Sequence, residues 1–148
     1  MISIKPLSSI EDSKLVSYIE DKYSNEITTV KSDQVMVMHE NSDLMAISVF
    51  DIDNNRGVIK FQDYTKPCDN YLMRDGMVKA TLNAIYVKGF IDVYVLSDNK
   101  NLAVNKQIGL EELSDRTILN NYDFEKLLYA KLPDFFDNGC HSKKKENS

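Results

Sequence analysis

Three strand-like runs crowded into residues 34–65 constrain this chain more than anything else in it. "QVMVMHE", "LMAISVFDI" and "VIKFQDYT" are rich in β-branched and aromatic residues, and only short polar links separate them. The links, residues 41–43 and "DNNRG", supply the Asn, Asp and Gly that tolerate positive φ, so they suit hairpins. The three runs therefore read as a meander. Pro67 cannot donate to a ladder and should end its last strand.

The flanks add helices and further strands. "MISIKPL" alternates Ile2 and Ile4 with polar residues and reads as a short strand stopping near Pro6. "SSIEDSKLVSYIEDKYS" reads as a helix, with Ser8 and Glu11 as a capping box and Val16, Ile19 and Tyr23 on one core face. After the polar "CDNY", a second helix is expected from about Asp75 to Lys88. Val78, Leu82 and Ile85 recur on one face of it, Met77 and Ala84 widen that face, and Gly89 is the stop signal. "IDVYVLS" is a strand, and "DNKNLAVNKQIG" a short helix capped by Asp98 or Asn99 with Gly109 past its end. "LEEL" and "FEKLLYAKL" read as two last strands separated by a polar "NNYD" turn. This order is an α+β fold with a mixed, mostly antiparallel sheet flanked by helices, neither a repeat nor a doubly wound parallel sheet.

The 148 residues match one domain, read here as 1–136, followed by a polar tail, 137–148, expected to be disordered for want of apolar anchors. A net charge of −5 argues against a general binder of nucleic acid or anionic membranes, whose affinity comes from Lys and Arg on phosphates. Apolar runs such as "LMAISVF" are far too short to span a bilayer, and the N-terminal stretch carries charges where a signal peptide needs an apolar core. Cys68 and Cys140 fit free thiols in a reducing cytoplasm.

The element order, with "GMVKATLNAI" after a meander and "DNKNLAVNKQIGLEE" after the next strand, resembles the GNAT acetyltransferase superfamily over nearly the whole chain. That family opens the helix after its fourth strand with a Q/R-x-x-G-x-G/A loop, whose backbone N–H groups and helix dipole hold the pyrophosphate of coenzyme A. Gly76 overlays the first motif glycine and Val78 the second small residue; Met73 stands three before Gly76, with Arg74 adjacent. The resemblance implies acetyl-CoA as cofactor and an amine, small-molecule or peptide, as acceptor. It places cofactor binding on Tyr64, Thr65, Met73, Arg74, Asp75, Gly76, Met77, Val78 and Lys79, with Asn99 and Asn105 from the second signature. Asn105 falls where the family often carries the tyrosine that protonates the leaving thiolate, and the branches of Val78 would crowd a close phosphate.

Acetyl transfer needs a base for the amine and an acid for the thiolate. Asp63, on the strand beside the expected cleft, could be the base, directly or through water; the alternative is a solvent-facing strand-end pair with Gln62. Tyr64 or Tyr94 could replace the acid, or simply pack. His39 lacks a partnered catalytic motif and reads as structural, Cys140-His141 lacks zinc-site spacing, and Lys143–Lys145 read as a solvated run. Two further readings stay open: a GNAT-like domain that binds a partner or ligand without chemistry, and an unrelated α+β domain.

Overall fold

The computed structural model describes residues 2–8, 12–24 and 34–137. Of the expected tail only Asp137 is described, as the last residue of a helical turn at 134–137; residues 138–148 with the Cys140-His141 pair, and Glu11 of the expected capping box, lie outside the described residues. Seven strands form one sheet in the order β1-β2-β3-β4-β5-β7-β6. They are β1 (Ile2–Pro6), β2 (Val35–Glu40), β3 (Asp43–Asp53), β4 (Arg56–Tyr64), β5 (Asp92–Ser97), β6 (Glu111–Leu113) and β7 (Lys126–Lys131). The expected meander is β2–β3–β4, paired antiparallel throughout, with Asn41, Asn54 and Asn55 at positive φ in its turns. Only β4 and β5 pair parallel among the described strands.

Helix α1 (Ser13–Lys22) covers one face and α2 (Tyr71–Val87) the other, with α3 (Leu102–Ile108) beside it. Leu15, Ile19 and Tyr23 pack on Val35, Val37, Ile47 and Val49. On the opposite face Val78, Leu82 and Ile85 pack on Phe50, Ile59, Val93 and Val95. The alternation of the strands thus sends successive residues into two separate cores. Gly57 is needed for the second: a Cβ there would lie 2.8 Å from Ile85 Cγ2, so only glycine lets α2 seat this closely.

Several boundaries differ from expectation. Helix α1 begins at Ser13 rather than Ser8, and the Asp12 carboxylate accepts the Ser8 N–H at 2.9 Å. β6 and β7 are not joined by a tight turn: the link includes a 3-10 turn at Thr117–Leu119, and β7 starts at Lys126. The largest shift is in α2. It starts at Tyr71, with Asn70 as N-cap accepting the Met73 N–H at 3.0 Å, not near Asp75. The polar "CDNY" that reads as a loop is a capping sequence. Its C-terminus follows expectation, with Gly89 at φ 103 just beyond.

Candidate functional site

A one-residue bulge creates the candidate site. Val49 of β3 pairs with Phe61 and Phe50 with Ile59, so Lys60 is the extra residue of β4. Such a bulge bends its strand. The parallel ladder to β5 stops there, at Ile59↔Val95, while β4 stays paired with β3 as far as Tyr64. From Lys60 to Tyr64 the β5-facing backbone edge of β4 therefore has no neighbouring strand among the described residues. The opening between the diverging carboxyl ends is a cleft of about 310 Å³. Crevices at the carboxyl ends of parallel strands are a common place for ligands.

Six segments wall the cleft. Lys60, Phe61 and Gln62 come from β4, Arg74 from α2, and Leu96 and Ser97 from β5. Asp98 and Asn101 come from the β5–α3 link, Asn105 from α3, and Asp123, Phe124 and Glu125 from the segment before β7. Most polar groups are already held. Asn105 is 4% exposed and donates from Nδ2 to Ser97 Oγ at 3.0 Å, while Ser97 donates to the Asp98 carbonyl. The Asp98 carboxylate accepts both the backbone N–H and the side-chain amide of Asn101. The Glu125 carboxylate accepts from Asn99 at 2.9 Å. Arg116 donates to the Glu125 and Phe124 carbonyls and lies over the Phe124 ring, which braces that wall. The Asp123 carboxylate has no hydrogen-bond or ion-pair partner among the described residues.

Arg74 is the guanidinium of the cleft. It stacks on the Tyr64 ring at 4.4 Å, and its Nε donates to Asp69 Oδ1 at 2.7 Å. Tyr64 in turn donates to Gln62 Oε1, and burial raises its phenol above the ordinary tyrosine range. That hydroxyl is a poor proton donor at neutral pH. Tyr94, the other tyrosine considered as an acid, packs edge-on against Tyr129 under Arg56 and is not in the cleft wall.

The residues expected from sequence divide sharply. Arg74 and Asn105 line the cleft, Tyr64 supports Arg74, and Asn99 holds a cleft carboxylate. Asp63 accepts the Tyr23 hydroxyl at 2.7 Å and lies outside the lining. The Thr65 N–H is bonded to the Met45 carbonyl. Asp75 and Lys79 pair with each other along α2 at 3.1 Å, and Met73 packs with Met36, Met38 and Met77. The expected loop from Met73 to Lys79 is therefore corrected. These residues are helical: the Met73 N–H is taken by the Asn70 side chain, and from Arg74 onward the N–H groups are committed to carbonyls four residues back. Gly76 sits in the second turn, 3.9 Å from Ile4 Cδ1 where a Cβ would be; Met77 and Val78 are buried in the core. Val78 crowds no phosphate, because its side chain points into the sheet. Ser97, Phe124 and Asp123 were missed by sequence reasoning. A polar residue ending a strand that pairs parallel was the available signal for Ser97, and the other two carry none.

No family model and no curated protein sequence matches the chain. Solved structures do. A GNAT-family acetyltransferase from Staphylococcus aureus Mu50 superposes at TM-score 0.63 and 14% identity, covering 89% of this chain and 99% of that one. PaiA N-acetyltransferase from Thermoplasma acidophilum, solved in complex with coenzyme A, gives 0.65 at 14% identity over 88% and 99%. A chain of the NatC complex bound to Gag peptide and CoA gives 0.64 at 14% identity over 88% and 98%. With its element order, its single parallel strand pair and these superpositions over nearly the full length, the chain has the fold of the GNAT acetyltransferases.

Proposed function

We propose that the β4–β5 cleft receives the thioester arm of acetyl-coenzyme A and that the chain passes the acetyl group to an amine. One observation carries the reading: past Ile59, at the bulge, β4 has no β5 partner, and Lys60, Phe61 and Gln62 of that unpaired edge line the cleft. An unpaired strand edge is a ready row of donors and acceptors for an extended chain with amide groups, which the pantetheine arm is. Coenzyme A bound in neighbours of the same fold supports the choice of ligand.

The residues present fit that group at two places. The β4 edge matches the amides of the arm, and Arg74 supplies a cation for the phosphates. Bound there, the cofactor would supply a thioester carbonyl open to attack. The chain's part is positional. Phe61, Leu96 and Phe124 give the cleft apolar walls, and Ser97 and Asn105 present neutral hydrogen-bonding groups to its floor. Asp123 is the cleft carboxylate left without a partner among the described residues, so it is placed to receive an ammonium and take its proton. Asp63 is tied to Tyr23 and would reach the cleft only through water.

A second reading, binding without transfer, draws on a separate feature. Neither Asn105 nor Ser97 is an acid, and Tyr64 is held against ionisation, so the leaving thiolate has no ready proton donor. Calorimetry with acetyl-CoA and a thiol-release assay over a panel of primary amines separate the two. Saturable heat with amine-dependent thiol release is expected. Heat without thiol release assigns the binding role, and no heat at millimolar ligand removes both readings.

A further inference from the structure

Arg74 is held by a carboxylate of the chain's own, Asp69. Asp69 lies just before the N-cap of α2, with its side chain 43% exposed. It draws on a single nitrogen of the guanidinium, Nε; the two terminal nitrogens make no hydrogen bond or ion pair among the described residues. The Arg74 side chain is only 14% exposed and is flattened on Tyr64, so its position is fixed before any ligand arrives. The hydrogen bond from Arg74 holds the Asp69 carboxyl below its usual range, and Lys100 adds to this from the β5–α3 side. An anion at this point therefore sits between two cations from different elements. At the helix end, Asn70 already accepts the Met73 N–H.

We infer that Asp69 is a built-in counter-anion, competing with the phosphate groups of the donor for Arg74 at the mouth of the cleft. The inference rests on the proposed reading of the cleft as a coenzyme A site. Its chemistry is simple exchange. One carboxylate on one guanidinium nitrogen gives way to a multiply charged diphosphate able to use the terminal fork, where bidentate pairing is strongest. The carboxylate keeps the guanidinium compensated in the empty protein and weakens the cofactor by competition and by like-charge repulsion. The terminal fork stays unspent for the larger anion.

The test compares coenzyme A with pantetheine, which has the same arm without phosphates, by calorimetry at fixed ionic strength. The proteins are the wild type, Asp69→Asn, Arg74→Gln and the double variant, with Asp69→Ser as a second replacement and melting curves as the folding control. Removing Asp69 should tighten coenzyme A by about three- to tenfold, the range of an exposed charge pair plus local repulsion, and the gain should shrink at high salt. Pantetheine affinity should stay within about twofold, and in the Arg74→Gln background the gain should vanish. Unchanged or weaker coenzyme A binding in both Asp69 variants overturns the counter-anion. So does an equal gain for pantetheine, or a gain that survives loss of Arg74. If pantetheine binds and only the Asp69 effect is missing, the cleft reading stands alone; if neither ligand binds any of the proteins, both fall.

Discussion

Replacing Gly76 by alanine tests the central correction most directly. In the second turn of α2 the residue is half-buried, it lacks positive φ, and a Cβ built on it meets only Ile4 Cδ1, at 3.9 Å. That is ordinary van der Waals contact, so nothing has to move. The remaining term is helix propensity, which favours alanine over glycine by about 0.8–1 kcal/mol in a helix interior. The scale already includes the freedom lost by the unfolded chain, so no separate entropy is added. For a chain of this length about 1 kcal/mol corresponds to a rise of roughly 2–5 °C in Tm. Urea denaturation should show a higher midpoint at unchanged slope, and calorimetry on the same protein should show coenzyme A affinity unaltered. Destabilisation would mean that Gly76 serves a close backbone approach and that the helix opens near Asp75. A selective loss of coenzyme A binding would restore Gly76 to a phosphate cradle.

Two further outcomes follow from the packing and the charges. Val78→Gly should cost roughly 3 kcal/mol in urea melts, the sum of a lost buried valine and a glycine inside a helix, without tightening coenzyme A, because Val78 is 1% exposed against the sheet. Stability should also carry an acid-sensitive share from Asp12. Burial pushes that carboxyl up, but the Ser8 N–H and the Lys5 ammonium outweigh it and hold it below the ordinary aspartate value. A lowered folded pKa gives stability that is present above about pH 4 and lost as pH falls through the folded value. The Tm difference between wild type and Asp12→Asn should therefore be largest near neutrality and shrink as pH falls below the ordinary carboxylate range; a difference constant from neutrality into strong acid would refute the assignment.

The fold was legible because its signals are local and repeat. Alternation in 34–65, Asn-rich turns and the stop at Gly89 each depend on a few neighbouring residues, and the strands stand where those signals put them. Errors arose where a cap was mistaken for a loop. Asn70 and Asp69 are strong turn residues, and "CDNY" contains no apolar period, so the first turn of α2 was hidden until the whole helix could be followed back from Ile85. The same misplacement put Gly76 at a helix mouth. The link before β7 failed for another reason: Arg116, not a turn residue, organises it by bonding the Phe124 and Glu125 carbonyls.

The site was less legible because its defining feature is a matter of register. Nothing in "VIKFQDY" marks Lys60 as the surplus residue; the bulge exists only in the pairing of β4 with β3. Yet that one residue decides what faces the cleft. Without it, Lys60 and Phe61 would come into register with Leu96 and Ser97, the last residues of β5, and the edge that borders the cleft would be spent on a ladder. Lys60 is itself compensated by Asp51 at 3.2 Å, so the bulge leaves little uncompensated charge in the wall. Charge in the cleft wall is thus set by Arg74, paired with Asp69, and by the carboxylates of Asp98, Asp123 and Glu125. A ligand with anionic groups for Arg74, amides for the β4 edge and a cationic acceptor for Asp123 suits that set of groups.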